Sequence, residues 1–262
     1  MKMTPLAIDL FCGLGGWTEG LLAEGYDVIG FDIERHVYGE HRYPAQLVLQ
    51  DVLTLHGSQF KDAALIVASP PCQEYSYMAM PWSKAKAIAA EYRSGARDVK
   101  KLTALFDACF RIQREACEAA GHHIPLVVEN VRGAIPWVGR SRWNFGSFHL
   151  WGDVPALMPM TKALPKVGGL DWNKRIPGQA FNTNAERAMK NPGFRFDGSG
   201  RSFQSESVKQ HKSGRAWFAD PDTISGSTSS HSHARKAASA QIAKIPFTLA
   251  RYIARVYRES CT

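Results

Sequence analysis

Along the first 150 residues the apolar positions gather into short runs, each cut off by an acid, a glycine-rich turn or a proline pair. Ala7-Ile8-Asp9-Leu10-Phe11 runs into Cys12-Gly13-Leu14-Gly15-Gly16, and Asp27-Val28-Ile29-Gly30-Phe31 ends at Asp32. Leu47-Val48-Leu49-Gln50 ends at Asp51, Ala64-Leu65-Ile66-Val67-Ala68 breaks at Pro70-Pro71, and Leu126-Val127-Val128 leads into Glu129-Asn130-Val131. Runs of this length, bounded by turn residues and without polar alternation, predict strands of a buried parallel sheet. Helical spacing lies between them. A helix is predicted over 17–24, and another over 98–120 with Leu102, Leu105, Phe106, Cys109, Ile112 and Ala116 on one face. Near the C-terminus Pro246 opens a helix whose Leu249, Ile253 and Val256 recur at i, i+4, i+7, a face suited to packing back on the sheet. Residues 77–97, with their Met, Ser, Lys and Gly, read as a loop. Strands alternating with helices predict an α/β fold with a mostly parallel sheet.

Composition narrows the picture. The chain has 262 residues and 45% hydrophobic content, enough to bury a core as one large domain with one insertion or lobe. Five Cys with no C-x-x-C spacing point to free thiols in a reducing compartment, and nothing in the spacing of Cys and His suggests a metal site. No apolar stretch reaches the ~20 residues that span a bilayer and no signal-peptide pattern opens the chain, so a cytoplasmic protein without membrane contact is expected.

Charge divides the chain unevenly. Residues 1–150 hold 15 Lys and Arg against 16 Asp and Glu, whereas 151–240 hold 13 against 7 and 241–262 hold 4 against 1. The segment 165–235 is rich in Gly, Ser, Asn and Pro, with Trp172, Phe181, Phe194, Phe196, Phe203, Trp217 and Phe218 scattered through it. A loop-rich basic lobe over 151–240 is therefore expected beside a domain over 1–150, with 241–262 returning as the terminal helix. Its Lys209, Lys212 and Arg215 would meet the phosphates of a polyanion.

The candidate chemistry lies at the ends of the runs. Glycines at 13, 15 and 16 allow close approach to a ligand, but Thr18 stands where a dinucleotide fingerprint needs its third glycine. A carboxylate, Asp9, precedes that turn and favours a cationic ligand over a pyrophosphate. Asp32 falls about 20 residues beyond the glycine turn, the position from which an acid binds ribose hydroxyls. With Asp51 ending the next run, these acids describe an adenosine site along one sheet edge, and S-adenosylmethionine suits it better than NAD or ATP. Cys72 follows two prolines on a stiffened turn, where a thiol is presented rather than packed. Glu129, behind three apolar residues, must be paired or hold a proton near neutrality, as a general acid toward a heterocycle nitrogen would.

Taken in order, Asp9-Leu10-Phe11-x-Gly13-x-Gly15-Gly16, Pro71-Cys72-Gln73-x-x-Ser76 and Glu129-Asn130-Val131 resemble the cofactor, nucleophile and acid motifs of the cytosine-C5 DNA methyltransferases, of compact bacterial or phage type. The resemblance spans residues 1 to about 150. It implies an S-adenosylmethionine-dependent methyltransferase (Rossmann-like) fold with a small target-recognition lobe, acting on double-stranded DNA as a monomer. It also implies roles. Phe11 would stack on adenine, Leu14 and Gly16 would shape the cofactor loop, and Asp32 with Ile33 would hold the ribose. Asp51 with Val52 would hold the adenine amino group. Cys72 would be the nucleophile, Pro71 would offer its carbonyl to the base, and Glu129 would contact N3. Asn130 would orient the Pro-Cys loop, and Gln73 and Ser76 would touch DNA. Arg140-Ser141-Arg142 resembles the end of the family's Gln-x-Arg-x-Arg motif, with Val138 in place of Gln, which implies that Arg140 touches DNA and Arg142 the base. The Gly-Asn-x-Val of the family stands here as Ala243-Lys244-Ile245-Pro246. An RNA cytosine methyltransferase would share every motif, transfer of a group other than methyl would use the same residues, and a catalytically idle DNA-binding decoy is the remaining alternative.

Overall fold

In a computed structural model the described residues are 4–73, 75, 82–145, 148–158, 236, 240 and 243–259. Seven strands form one sheet: β1 (Leu6–Leu10), β2 (Asp27–Asp32), β5 (Gln46–Leu49), β6 (Ala63–Ala68), β7 (Leu126–Asn130), β8 (Trp143–Phe145) and β9 (Phe148–Gly152). Their spatial order is β5-β2-β1-β6-β7-β9-β8. The first five are mutually parallel, and β9 is the antiparallel strand between β7 and β8. A separate short hairpin pairs β3 (Val37–Tyr38) with β4 (His41–Arg42). Ile8, Leu10, Leu65, Ile66, Val67, Leu126, Val127 and Val128 are all fully or nearly fully buried, as expected for a sheet covered on both faces.

The helices follow from capping and pattern. α1 (Gly16–Ala23) starts at Gly15, whose φ of 79° places it in the left-handed region. α3 (Val99–Ala120) is capped by Asp98, whose carboxylate accepts from the Lys100 N–H, and it stops at Gly121 with φ 73°. Between them lies a departure from the sequence expectation. Residues within the 77–97 stretch fold as α2 (Trp82–Arg93), because Ala87, Ala89 and Ala90 favour a helix and Ile88, Ala89 and Tyr92 give it a face to bury. Among the described residues of that stretch the expected loop remains only after Arg93, where Gly95 takes a φ of 80°, and 77–81 lie outside the described residues. The third predicted strand lies one residue earlier than its apolar run. It ends at Leu49, and Asp51 caps a 3-10 turn over Val52–Thr54.

After the short helix α4 (Ile135–Val138), the terminal helix, α5 (Phe247–Glu259), buries Leu249, Ala250, Ile253 and Ala254. It rests on α1 as well as on the sheet. A Cβ at Gly20 would lie 2.4 Å from the Arg251 nitrogen, so the two helices approach at contact distance there. Glu24 at the end of α1 receives Arg251 and Arg255 of α5. Residues 1–156 and 243–262 form one compact unit. The basic segment 157–242, with Lys209, Lys212 and Arg215, falls almost entirely outside the described residues. Among the described residues no helix is long and apolar enough to cross a membrane.

Candidate active site

Because β1, β2, β5, β6 and β7 are parallel, the loops that follow them open at the same edge of the sheet, where ligands bind in open α/β sheets. Those loops and the strand ends that lead into them carry the residues singled out in the sequence. The loop after β6 presents Cys72, which is half-buried and follows the exposed Pro71. Neither proline has an N–H to give, and the loop is anchored instead through acceptors and turns. Asn130 at the end of β7 donates from Nδ2 to the Pro70 carbonyl at 3.0 Å, while its Oδ1 accepts from the Val131 N–H at 2.8 Å. Beyond the thiol, the Tyr75 N–H closes a turn on the Cys72 carbonyl, and the Tyr75 hydroxyl donates to the Leu102 carbonyl of α3. Gly133 is required beside this turn, since a Cβ there would meet the Tyr75 carbonyl oxygen at 1.8 Å.

Glu129, one residue before Asn130, is buried, and burial pushes its carboxyl up to about 8, offset in part by a hydrogen bond with Ser69. It therefore holds a proton at pH 7. Burial also pushes the Cys72 thiol up to about 11, and the Glu129 charge adds to that rise. The two groups sense each other, so a proton on Glu129 makes the thiolate easier to form. Ser69 ties the site together: its Oγ accepts from Trp17 Nε1 at 2.9 Å, linking α1 to the Pro-Pro-Cys loop and to Glu129. Ser69 and Trp17 were not selected from the sequence as site residues. The signal available was only that Ser69 opens the Pro-Pro-Cys stretch.

Loss of the Asn130 anchor gives a first testable expectation. Asn130→Ala should lower stability by about 1–3 kcal/mol through the unsatisfied Pro70 carbonyl. It should also reduce turnover by on the order of 10²-fold through a displaced thiol. A thermal melt and single-turnover kinetics measure both, and wild-type turnover would remove the positioning role.

The glycine turn after β1 is strained and open. Phe11 is half-buried with a φ of 59°, and a Cβ at Gly13 would meet nothing within 4 Å. The Gly13 N–H donates to Asp32 Oδ2 at 2.9 Å, which locks the turn to the end of β2. Burial opposes ionisation of Asp32, but hydrogen bonds from His36 and from the Gly13 and Glu34 N–H groups outweigh it and hold the carboxyl below its ordinary value. Next to it Ile33 is 73% exposed, an apolar side chain facing solvent beside an ionised acid. Leu14 and Val52 are buried, and Gly16 packs against the backbone of Ile245. Asp51 uses one oxygen to cap its 3-10 turn, accepting from the Leu53 N–H at 2.9 Å.

Asp9 occupies a different place from the one its sequence position suggested. It lies within β1 and is 1% exposed, with the Thr18 hydroxyl donating to its Oδ2 at 2.6 Å and Tyr43 reaching the same hydroxyl. Burial pushes its carboxyl up to about 7, and Oδ1 has no hydrogen-bond partner. It is a core group behind the glycine turn, not a charge presented at its mouth. The arginines also part from the site. Arg142 and Arg140 line a cleft with Phe106 and Phe110 of α3 and Trp151 of β9, and neither Cys72 nor Glu129 lines it. Trp151 pairs in register with Val128, so Glu129, the next residue along β7, turns toward the opposite face. Gln73 is exposed beside Cys72, and Ser76 lies outside the described residues. Among the described residues no group of His, Cys, Asp and Glu is arranged to hold a metal.

The sheet order, with its single antiparallel strand beside an exposed edge strand, and the loops gathered at one end define the fold of S-adenosylmethionine-dependent methyltransferases. The sequence model of the C-5 cytosine-specific DNA methylases matches residues 6–133. Solved structures that align with it include a prophage-encoded protein from E. coli assigned as a DNA modification methyltransferase, 23% identical over 50% of this chain and 33% of that one, with a TM-score of 0.34. The Dnmt2 methyltransferase of S. pombe is 16% identical over 52% of this chain and 37% of its own, with a TM-score of 0.32. The methyltransferase EhMeth of Entamoeba histolytica is 17% identical over 53% and 41%, with a TM-score of 0.31. The chain thus spans well under half the length of each of these proteins. No curated protein matches.

Proposed function

We propose that this protein transfers a methyl group from S-adenosylmethionine to C5 of a cytosine in double-stranded DNA, with Cys72 as nucleophile and Glu129 as the acid at N3. The observation that carries this reading is the coupling of a half-buried thiol to a buried, proton-holding carboxyl across one sheet edge, with Ser69 and Asn130 bracing both loops. A pyrimidine ring needs both groups at once. Its C6 takes the sulfur only if the charge that moves into the ring is met at N3, and a protonated Glu129 meets it.

The residues around the glycine turn fit the cofactor. Asp32 is held ionised and can accept from ribose hydroxyls, Gly13 leaves open space, and Phe11 with the exposed Ile33 offers apolar surface to a purine. Asp51 would accept from the adenine amino group through the oxygen its turn does not use. When bound, S-adenosylmethionine supplies an electrophilic methyl group at the sheet edge. The chain's own part is to attack and to manage protons. The Cys72 thiol gives up its proton to water, Sγ bonds to C6 as Glu129 donates its proton toward N3, and the C5–C6 π electrons become available at C5. Once C5 carries the methyl group, its proton passes to water, the electron pair of that C–H bond re-forms the C5–C6 double bond and expels Cys72 as a thiolate, and the N3 proton returns to Glu129. A cytosine within a duplex must be swung out of the stack before C6 can be reached, at a cost of about a few kcal/mol. The basic segment 151–240, including Lys209, Lys212 and Arg215, would act as the recognition lobe that holds the flanking phosphates, with Gln73 and Ser76 as further DNA contacts.

Incubating the protein with labelled S-adenosylmethionine and either duplex DNA or tRNA tests the reading. Label at C5 of cytosine in DNA is the expected result, and label in tRNA alone would overturn the DNA assignment. Asp32→Ala should weaken S-adenosylmethionine binding by about 1.5–3 kcal/mol through lost charge-assisted hydrogen bonds. Calorimetry showing unchanged affinity would remove Asp32 from the cofactor site.

A further inference from the structure

The cleft that holds Arg140 and Arg142, of about 590 Å³, lies between α3 and the β8–β9 hairpin. Four arginines, Arg111, Arg114, Arg140 and Arg142, line it against one carboxylate, Asp107. Arg111 is spent on Glu115 and on the Leu53 and Leu55 carbonyls, and Asp107 accepts from the Thr103 hydroxyl. The side chains of Arg114, Arg140 and Arg142 make no hydrogen bond or ion pair among the described residues. Arg140 and Arg142 are exposed, and Arg114 sits one helical turn from Arg111 on the cleft-facing side of α3. The floor is apolar: Phe106 and Trp151 pack edge to face at 5.4 Å, and the half-buried Phe110 stands beside Phe106. The Trp151 N–H is already given to the Gly139 carbonyl, so the guanidiniums are the donors left for a ligand.

Three cations lining one concave, apolar-floored site repel one another unless an anion joins them. The guanidinium fork matches phosphate oxygens two at a time. The volume is that of a small-ligand site. We propose that this cleft binds a phosphoester group, separate from the Cys72 site, presented either by a nucleic-acid strand passing the β8 edge or by a free nucleotide. This inference concerns binding only and stands whether or not the methyl-transfer reading holds.

The test compares the full chain with the triple variant Arg114→Gln, Arg140→Gln, Arg142→Gln and with the corresponding triple Lys variant, which keeps the charge. Thermal melts verify that each folds. Affinity for a 30-base-pair duplex is measured across salt concentrations, and ADP and pyrophosphate are titrated by calorimetry. If a strand occupies the cleft, the log–log salt slope of the Gln variant should fall by about 0.9 per lost phosphate contact, and the Lys variant should recover most of it. If a free nucleotide occupies it, ADP or pyrophosphate binding should weaken at least about tenfold in the Gln variant while the duplex slope stays unchanged. An unchanged slope together with unchanged ADP and pyrophosphate binding overturns the proposal.

Discussion

A duplex carrying 5-fluorocytosine at the target position should become covalently attached to this protein, through Cys72, in the presence of S-adenosylmethionine. If Sγ adds to C6 and C5 then takes the methyl group, the last step needs a proton to leave C5. Fluorine cannot leave as a cation, so the Sγ–C6 bond persists. The complex should survive denaturation, and mass spectrometry should place it on the peptide containing Cys72. Cys72→Ser should abolish both trapping and turnover, because a hydroxyl is a far weaker nucleophile near neutral pH. Other cysteines offer a control. Burial pushes the Cys12 and Cys109 thiols far above the ordinary range, so substitution at either should leave trapping intact. An adduct on any cysteine but Cys72, or full turnover by Cys72→Ser, would sink the covalent mechanism.

Glu129→Gln should produce the second large effect, and it should cut in opposite directions on activity and stability. The amide keeps the shape of the side chain but has no proton to transfer toward N3, so turnover should fall by about 10²–10⁴-fold. Stability should move the other way as pH rises. The folded carboxyl titrates at about 8, above its ordinary value of 4.5, so the folded state holds a proton that the unfolded chain releases. That contribution is fully present below pH 4.5 and is lost as pH climbs through about 8. The Gln variant has no such loss. Its advantage over the wild type should be absent near pH 4 and grow to the order of 3–5 kcal/mol by pH 8. Paired chemical-denaturation curves across that range measure it. A constant difference at every pH would show that Glu129 is not the protonated group. Asp9, whose carboxyl is pushed up to about 7 by burial, adds a loss of the same sign in the wild type and the variant alike, and it cancels in the comparison.

On the proposed mechanism, the cost that burial places on Glu129 is the reason it can serve. A solvated glutamate at pH 7 would be ionised, would oppose thiolate formation at Cys72, and would have nothing to donate. Holding it behind Leu126, Val127 and Val128 keeps the proton on, and the same three residues anchor the strand to the middle of the sheet. Core packing and acid chemistry here share one strand.

Much of this was legible in the chain alone. Five apolar runs were enough for the parallel part of the sheet, because a strand buried on both faces leaves no room for polar alternation. The loops after those strands were legible for the same reason: Pro70-Pro71, the glycines at 13 and 15 and the acids at 32 and 129 all break the runs at one end. Asp98 and Gly121 likewise marked α3 by local capping. Only the tertiary structure decided the rest. The β8–β9 hairpin carries weak apolar patterning, and its place beside β7 is set by pairing partners distant in sequence. Asp9 reads as a presented charge until Thr18 and Tyr43 close over it. Arg142 reads as a neighbour of Glu129 until the hairpin places it in a cleft with Trp151, on the face Glu129 turns away from. Ser69, between Trp17 and Glu129, carries no local signal, since a hydrogen bond spanning 52 residues exists only once the sheet has formed. Local sequence determines where a strand stops and which residue follows it. Which face that residue turns to, and what closes over it, is decided by contacts the chain makes only when folded.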